Sequence, residues 1–260
     1  MVPIVTIASV PQLFDMTNRV VVITGGTRGI GLALAKGYIA AGASVVVASR
    51  KPEACAAAEE ELSALGGRAL GVPAHAGNLE DLERLVTDTV ARFGQIDVVV
   101  NNAANALALP IGQFTPEAWA KSFDVNLRGP VFLVQAARPH LAASEHAAVL
   151  NVISAGAFMF SAGVAMYAAG KAALMSFTRS MAAELAVKEI RVNALAPGSV
   201  DTDMVRNTGP SGEKRLRGAS LMGRIAAPEE MIGPALLLTS DAGSYITGQV
   251  LLADGGLVPH

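Results

Sequence analysis

The chain has little of several things, and each shortage excludes a class of protein. A single cysteine, Cys55, stands in 260 residues, which rules out an internal disulfide framework and suits a reducing compartment. Charged residues make up only 16% and the net charge is −2, so there is no basic stripe for a nucleic-acid backbone. No run of 18 apolar residues occurs, and no membrane span is expected. No group of His, Cys and carboxylates has metal-ligand spacing, so no metal is expected. The opening "MVPIVTIASVPQLFDMTN", residues 1–18, has no basic start, and Pro3 and Pro11 interrupt its apolar run. It reads as a tail or packing arm rather than a targeting signal, and the expected location is cytoplasmic.

Apolar residues, in contrast, are abundant at 52%. Seven short β-branched runs recur: "RVVVIT" (19–24), "SVVVAS" (44–49), "RALGVPA" (68–74), "DVVVNN" (97–102), "AVLNVIS" (148–154), "IRVNALA" (190–196) and "QVLLAD" (249–254). Several are continuously apolar, as strands buried on both faces are. Segments of helical length lie between them. "NLEDLERLVTDTVARF" carries one apolar stripe, with Asn78 placed to cap it. Strand and helix in alternation predict an α/β fold, a doubly wound, Rossmann-like, seven-stranded parallel sheet with helices on both faces. No linker or repeat divides the chain, so residues 19–260 are expected to form one domain.

The first strand runs into "TGGTRGIG", Thr24 to Gly31. Gly25, Gly29 and Gly31 remove side chains that would hold backbone away from a pyrophosphate, and a helix N-terminus follows to receive it. Thr27, Arg28 and Ile30 lie in the same turn. The second strand ends at Ser49, Arg50 and Lys51, where an acid would bind a ribose 2′-hydroxyl. Guanidinium groups and a hydroxyl suit a 2′-phosphate instead, and this favours NADP(H) over NAD(H). In "MYAAGKAA", Tyr167 and Lys171 are four residues apart and share one helical face. A cation within about 4–6 Å favours a phenolate and lowers the phenol's pKa.

Taken in order, these segments resemble the short-chain dehydrogenase/reductase family from Arg19 to Gly256. The positions that carry the resemblance are the glycine turn, "NNAA" (101–104), "NLRG" (126–129), Ser154, Tyr167 with Lys171, "APGSVDTDM" (196–204) and "DGG" (254–256). "SRK" and "HAG" are closer to NADP-dependent carbonyl and retinol reductases than to the polyol group. The resemblance implies a catalytic set of Ser154, Tyr167, Lys171 and Asn126. Ser154 would hold the carbonyl oxygen, Tyr167 would exchange the proton, and Lys171 would reach the cofactor ribose. Asn126 would anchor a water chain. It further implies cofactor contacts from Asn102, Ala103, Ala104, Pro197, Gly198, Val200 and Thr202, with His75 and Ala76 beside the adenine.

Three positions depart from the family pattern. Ala104 replaces a glycine, His75–Ala76 stands where an aspartate is usual, and Gly170 replaces a serine or threonine. The implied activity is hydride transfer between NADP(H) and an apolar ketone or aldehyde. Reduction of 3-oxoacyl thioesters, NAD-dependent alcohol oxidation and a non-catalytic dinucleotide sensor are the alternatives. Residues 200–225 are expected to be a substrate loop with a mobile lid, and a homotetramer is implied.

Overall fold

The computed structural model describes residues 9–160 and 162–258. The first eight residues of the expected N-terminal tail lie outside them. Ser9–Asn18 begins with a four-residue helix α1 (Val10–Leu13) and then drives Met16 fully into the core.

Seven strands follow: β1 (Val20–Thr24), β2 (Ser44–Ser49), β3 (Arg68–Pro73), β4 (Val98–Asn101), β5 (Ala148–Val152), β6 (Arg191–Pro197) and β7 (Val250–Ala253). All pair in parallel, in the order β3-β2-β1-β4-β5-β6-β7. Each falls within or one residue beyond the run expected for it. The continuous apolar runs have a simple cause, since successive side chains feed opposite faces of the sheet. Val21, Ile23, Val45, Val47, Val98 and Val100 pack with Leu34 and Tyr38 of α2 (Gly29–Ala40), Leu62 of α3 (Pro52–Ala64) and Leu238 of α10 (Ile232–Thr239). Val22, Val46, Val99 and Val149 pack with Leu82 and Leu85 of α4 (Leu79–Phe93) and Leu133 of α6 (Gly129–Leu141), joined by Ala182 of α7 (Ala165–Leu185). Alternating residues would leave one face wet; these strands have no wet face.

The order reverses at β1, which lies between β2 and β4. The crevice beyond the carboxyl ends of these strands is where ligands bind in open α/β sheets. A buried polar thread joins the strands on the β4 side of β1. Asn101 Nδ2 donates to Asn151 Oδ1 at 2.8 Å, and Asn151 Nδ2 donates to the Thr178 hydroxyl at 2.9 Å. It ties β4 and β5 to the long helix α7. A short helix α5 (Pro116–Phe123) leads into a π-helical turn, Asp124–Arg128, before α6.

The segment expected to be a loop over 200–225 is largely helical, as α8 (Asp203–Arg206) and α9 (Gly209–Ala219). Gly209 at φ +72° breaks the chain between them, and Pro210 fits the first turn of α9.

Candidate active site

The glycine turn between β1 and α2 is shaped for a close approach. Gly25 and Gly29 have φ of +64° and +54°, the left-handed region that a side chain disfavours. A Cβ on Gly31 would lie 2.2 Å from the Gly25 carbonyl oxygen. No side chain caps α2, and Gly29, Ile30 and Gly31 line a cleft of about 550 Å³, so the first-turn N–H groups are available to a ligand. Asn102 fastens this turn from below, donating to the Thr24 and Gly25 carbonyls at 3.0 Å each. The Thr24 hydroxyl in turn accepts the backbone N–H of Asn102 and of Ala103. The cradle therefore fits a dinucleotide pyrophosphate.

The same cleft gathers Arg28, Asn102, Ala103, Ala104, Ser154, Tyr167, Lys171, Pro197, Gly198, Val200 and Thr202. Gly198 is required there because a Cβ would meet the Asp254 Cα at 2.7 Å, where β6 and β7 end side by side. A smaller adjoining pocket of about 140 Å³ is lined by Thr27, Arg28, Ser49, Arg50, His75, Ala76, Ala103 and Ala104. The structure thus brings the expected adenosine-side residues together at the ends of β1, β2 and β3. Lys51 is the exception. It is the N-cap residue of α3 and lines neither cavity, because the helix turns away as soon as Arg50 has passed.

The polar groups converge at the start of α7. Lys171 is fully buried, and its ammonium donates to the Val152 carbonyl at the end of β5, at 2.7 Å. It lies 5.8 Å from the centroid of the Tyr167 ring. Burial lowers the Lys171 pKa to about 8. Burial also raises the Tyr167 pKa, and a hydrogen bond from Ser154 only partly opposes this. Burial is thus the dominant influence on the phenol, and it acts against the phenolate. The Ser154 oxygen accepts the Gly156 N–H at 3.0 Å, and the hydroxyl keeps its contact with Tyr167.

Asn126 is fully buried in the π-helical turn. Its amide donates to the carbonyls of Asn105 and Ser122 at 2.8 and 2.9 Å, and its oxygen accepts the Asn105 N–H at 3.1 Å. The wider turn is what lets this side chain point back at its own helix. Gly170 faces it, and a Cβ there would stand 3.2 Å from the Asn126 Cβ.

This ordered constellation has known counterparts. The family model described as Enoyl-(Acyl carrier protein) reductase matches residues 25–258. Dehydrogenase/reductase SDR family member 4 of Homo sapiens is 36% identical over 244 residues, spanning 93% of this chain and 88% of the human protein. The chain belongs to the short-chain dehydrogenase/reductase family. A short-chain type dehydrogenase/reductase from Mycobacterium marinum superposes with a TM-score of 0.92 at 30% identity, covering 97% of this chain and all (100%) of that one. A 3-oxoacyl (acyl-carrier-protein) reductase from Agrobacterium tumefaciens C58, solved with NADP bound, gives 0.89 at 33% identity over 95% and 97%.

As a short-chain dehydrogenase/reductase, the chain is an oxidoreductase of carbonyl and alcohol groups that uses a nicotinamide dinucleotide. Four features of its site were missed from the sequence: the Thr24 hydroxyl, the Val152 carbonyl, Lys121 in the adenosine-side pocket and Asp203 beside Arg28. A carbonyl leaves no trace in residue identity. Lys121 and Asp203 reach the site from short helices distant in sequence, with no periodicity to announce them. Met204 lines the main cleft, whereas Met222 lines a separate cavity beside Gly255 and Gly256.

Proposed function

We propose that this chain reduces an apolar ketone or aldehyde with NADPH. The observation that carries the reading is the composition of the adenosine-side pocket. It contains Arg28, Arg50 and Lys121 together with the Thr27 and Ser49 hydroxyls, and no carboxylate. Three cations and no acid suit a 2′-phosphate, and repel nothing that NADP(H) carries.

The bound cofactor supplies or accepts the hydride. The residues of the chain do the rest. Ser154 holds the carbonyl oxygen by a hydrogen bond, and Tyr167 gives that oxygen its proton. A phenol whose pKa is raised is protonated at neutral pH, the form that can give a proton to a carbonyl oxygen. Lys171, held by Val152, is the group for the cofactor ribose, and Asn126 ties the π-helical turn to Asn105.

Met204, which lines the cleft, supports an apolar substrate. A 3-oxoacyl thioester is the second reading, favoured by the likeness to the A. tumefaciens reductase. A panel of ketones, aldehydes and acyl thioesters, each with NADPH and NADH and followed by absorbance of the reduced pyridine, distinguishes the two. Tyr167→Phe is expected to cut turnover by about 10²–10⁴-fold while NADPH affinity stays within twofold or so of the parent. A variant that still turns over at the parental rate removes Tyr167 from the reaction.

The half-buried edge strand β7 and the exposed Phe132, Phe177 and Tyr245 support a homo-oligomer, with a tetramer implied by the family. Light scattering checks it. Among the described residues no helix is long and apolar enough to cross a membrane. The lone, buried Cys55 supports a cytoplasmic location.

A further inference from the structure

Arg28 stands between the two cavities of the site. It is the N-cap residue of α2, its side chain is largely exposed, and it lines both the main cleft and the adenosine-side pocket. Its guanidinium is already paired within the chain. Nη1 donates to the Asp203 Oδ2 at 2.6 Å, across 175 residues of sequence. Asp203 opens α8, and its neighbour Thr202 lies against the glycine turn, 3.1 Å from where a Gly29 Cβ would be. The start of α8 is therefore fastened to the phosphate cradle by one ion pair and one contact.

We propose that Asp203 competes with the cofactor 2′-phosphate for the Arg28 guanidinium, and so sets how strongly the site prefers NADP(H) over NAD(H). The proposal rests on the reading that Arg28 serves the 2′-phosphate. A dianionic phosphate takes a guanidinium edge in bidentate fashion. If Arg28 swings to it, the ion pair with Asp203 is given up. If Arg28 bridges both, a carboxylate stands close to the phosphate and repels it. Either geometry gives the same sign: Asp203 weakens NADP(H) and leaves NAD(H), which has no 2′-phosphate, untouched. The released carboxylate is not left without a partner charge, because Arg206, held by Asp201 through two contacts, lies within its electrostatic reach.

Titration of NADPH and NADH by fluorescence against the free parent, Asp203→Asn, Arg28→Ala and the double variant tests this without any turnover. Asp203→Asn should tighten NADPH about two- to fivefold, the range of an exposed ion pair, with NADH unchanged. In the Arg28→Ala background the same substitution should do nothing. Equal tightening of both cofactors, no change for NADPH, or an effect that persists without Arg28 overturns the proposal. Arg28→Ala also tests the assumption beneath it. Loss of NADPH affinity alone in that variant, with Asp203→Asn silent, sinks only the competition. Equal loss of both cofactors sinks the 2′-phosphate reading of Arg28, and the competition with it.

Discussion

Lys171 shows what function demands of a single residue. An ammonium buried completely on one hydrogen bond to the Val152 carbonyl is expensive, and the fall of its pKa from 10.5 to about 8 expresses that cost. Between those values the unfolded chain binds more protons than the folded one, so stability rises with pH across that window. Below pH of about 8 both states hold the proton and the penalty stays at its full size. The shift corresponds to a penalty on the order of 3 kcal/mol. Lys171→Met removes the penalty along with the function. Relative to the variant, the parent should gain that amount as pH rises from about 8 to 10.5, read from denaturant midpoints at each pH. A parent–variant difference that stays flat across the window means the lysine is not strained in this way. At this scale the Tyr167–Lys171 spacing was legible in the sequence, because four residues on a helix set two side chains on one face. Their burial was not, and it raises the tyrosine's pKa.

The π-helical turn Asp124–Arg128 is the element that the sequence hides. "FDVNLRG" has no residue that demands a wider turn, and read alone it continues the helix from Pro116. The cause lies outside the segment. Gly129, where α6 begins, sits so close to the end of β3 that a Cβ would stand 1.8 Å from the Ala76 carbonyl oxygen. The bulge and the glycine together let α6 pack on a loop whose residues His75 and Ala76 line the adenosine-side pocket. The strands, in contrast, were legible to within a residue or two because their signal is local: each β-branched side chain is buried on one face or the other. Gly129→Ala should therefore do two things. It should destabilise by about 1–3 kcal/mol through overpacking, and it should weaken cofactor binding by pushing on the 75–76 loop. Leu141→Ala, at the fully buried far end of the same helix, supplies the comparison. Its cavity should cost about 2–5 kcal/mol with cofactor affinity unchanged. If both variants leave affinity alike, the turn has no part in shaping the pocket.

Across the whole molecule, 22 acids nearly balance 20 bases, and nothing in that total signals a polyanion. The signal is in how the fold distributes them. Arg28 and Arg50 follow the carboxyl ends of β1 and β2, strands that pair directly, and Lys121 arrives from α5; together they make one pocket with no acid in its wall. Two of the three cations could be read from the sequence because each directly follows a strand end or glycine turn. The third could not, because only the crossover from β4 brings α5 to that side. Arg50→Asp tests the distribution. A carboxylate there would meet the 2′-hydroxyl of NAD(H) and repel the 2′-phosphate of NADP(H). Loss of a charge-assisted hydrogen bond of about 1.5–3 kcal/mol corresponds to a roughly 10- to 100-fold weaker Kd for NADPH, before any repulsion is added. NADH binding should hold or improve. The parental NADPH affinity should also fall with added salt more steeply than its NADH affinity, and Arg50→Asp should flatten that slope. If the variant binds both reduced cofactors as the parent does, the three cations do not read the phosphate and the NADP preference falls with them.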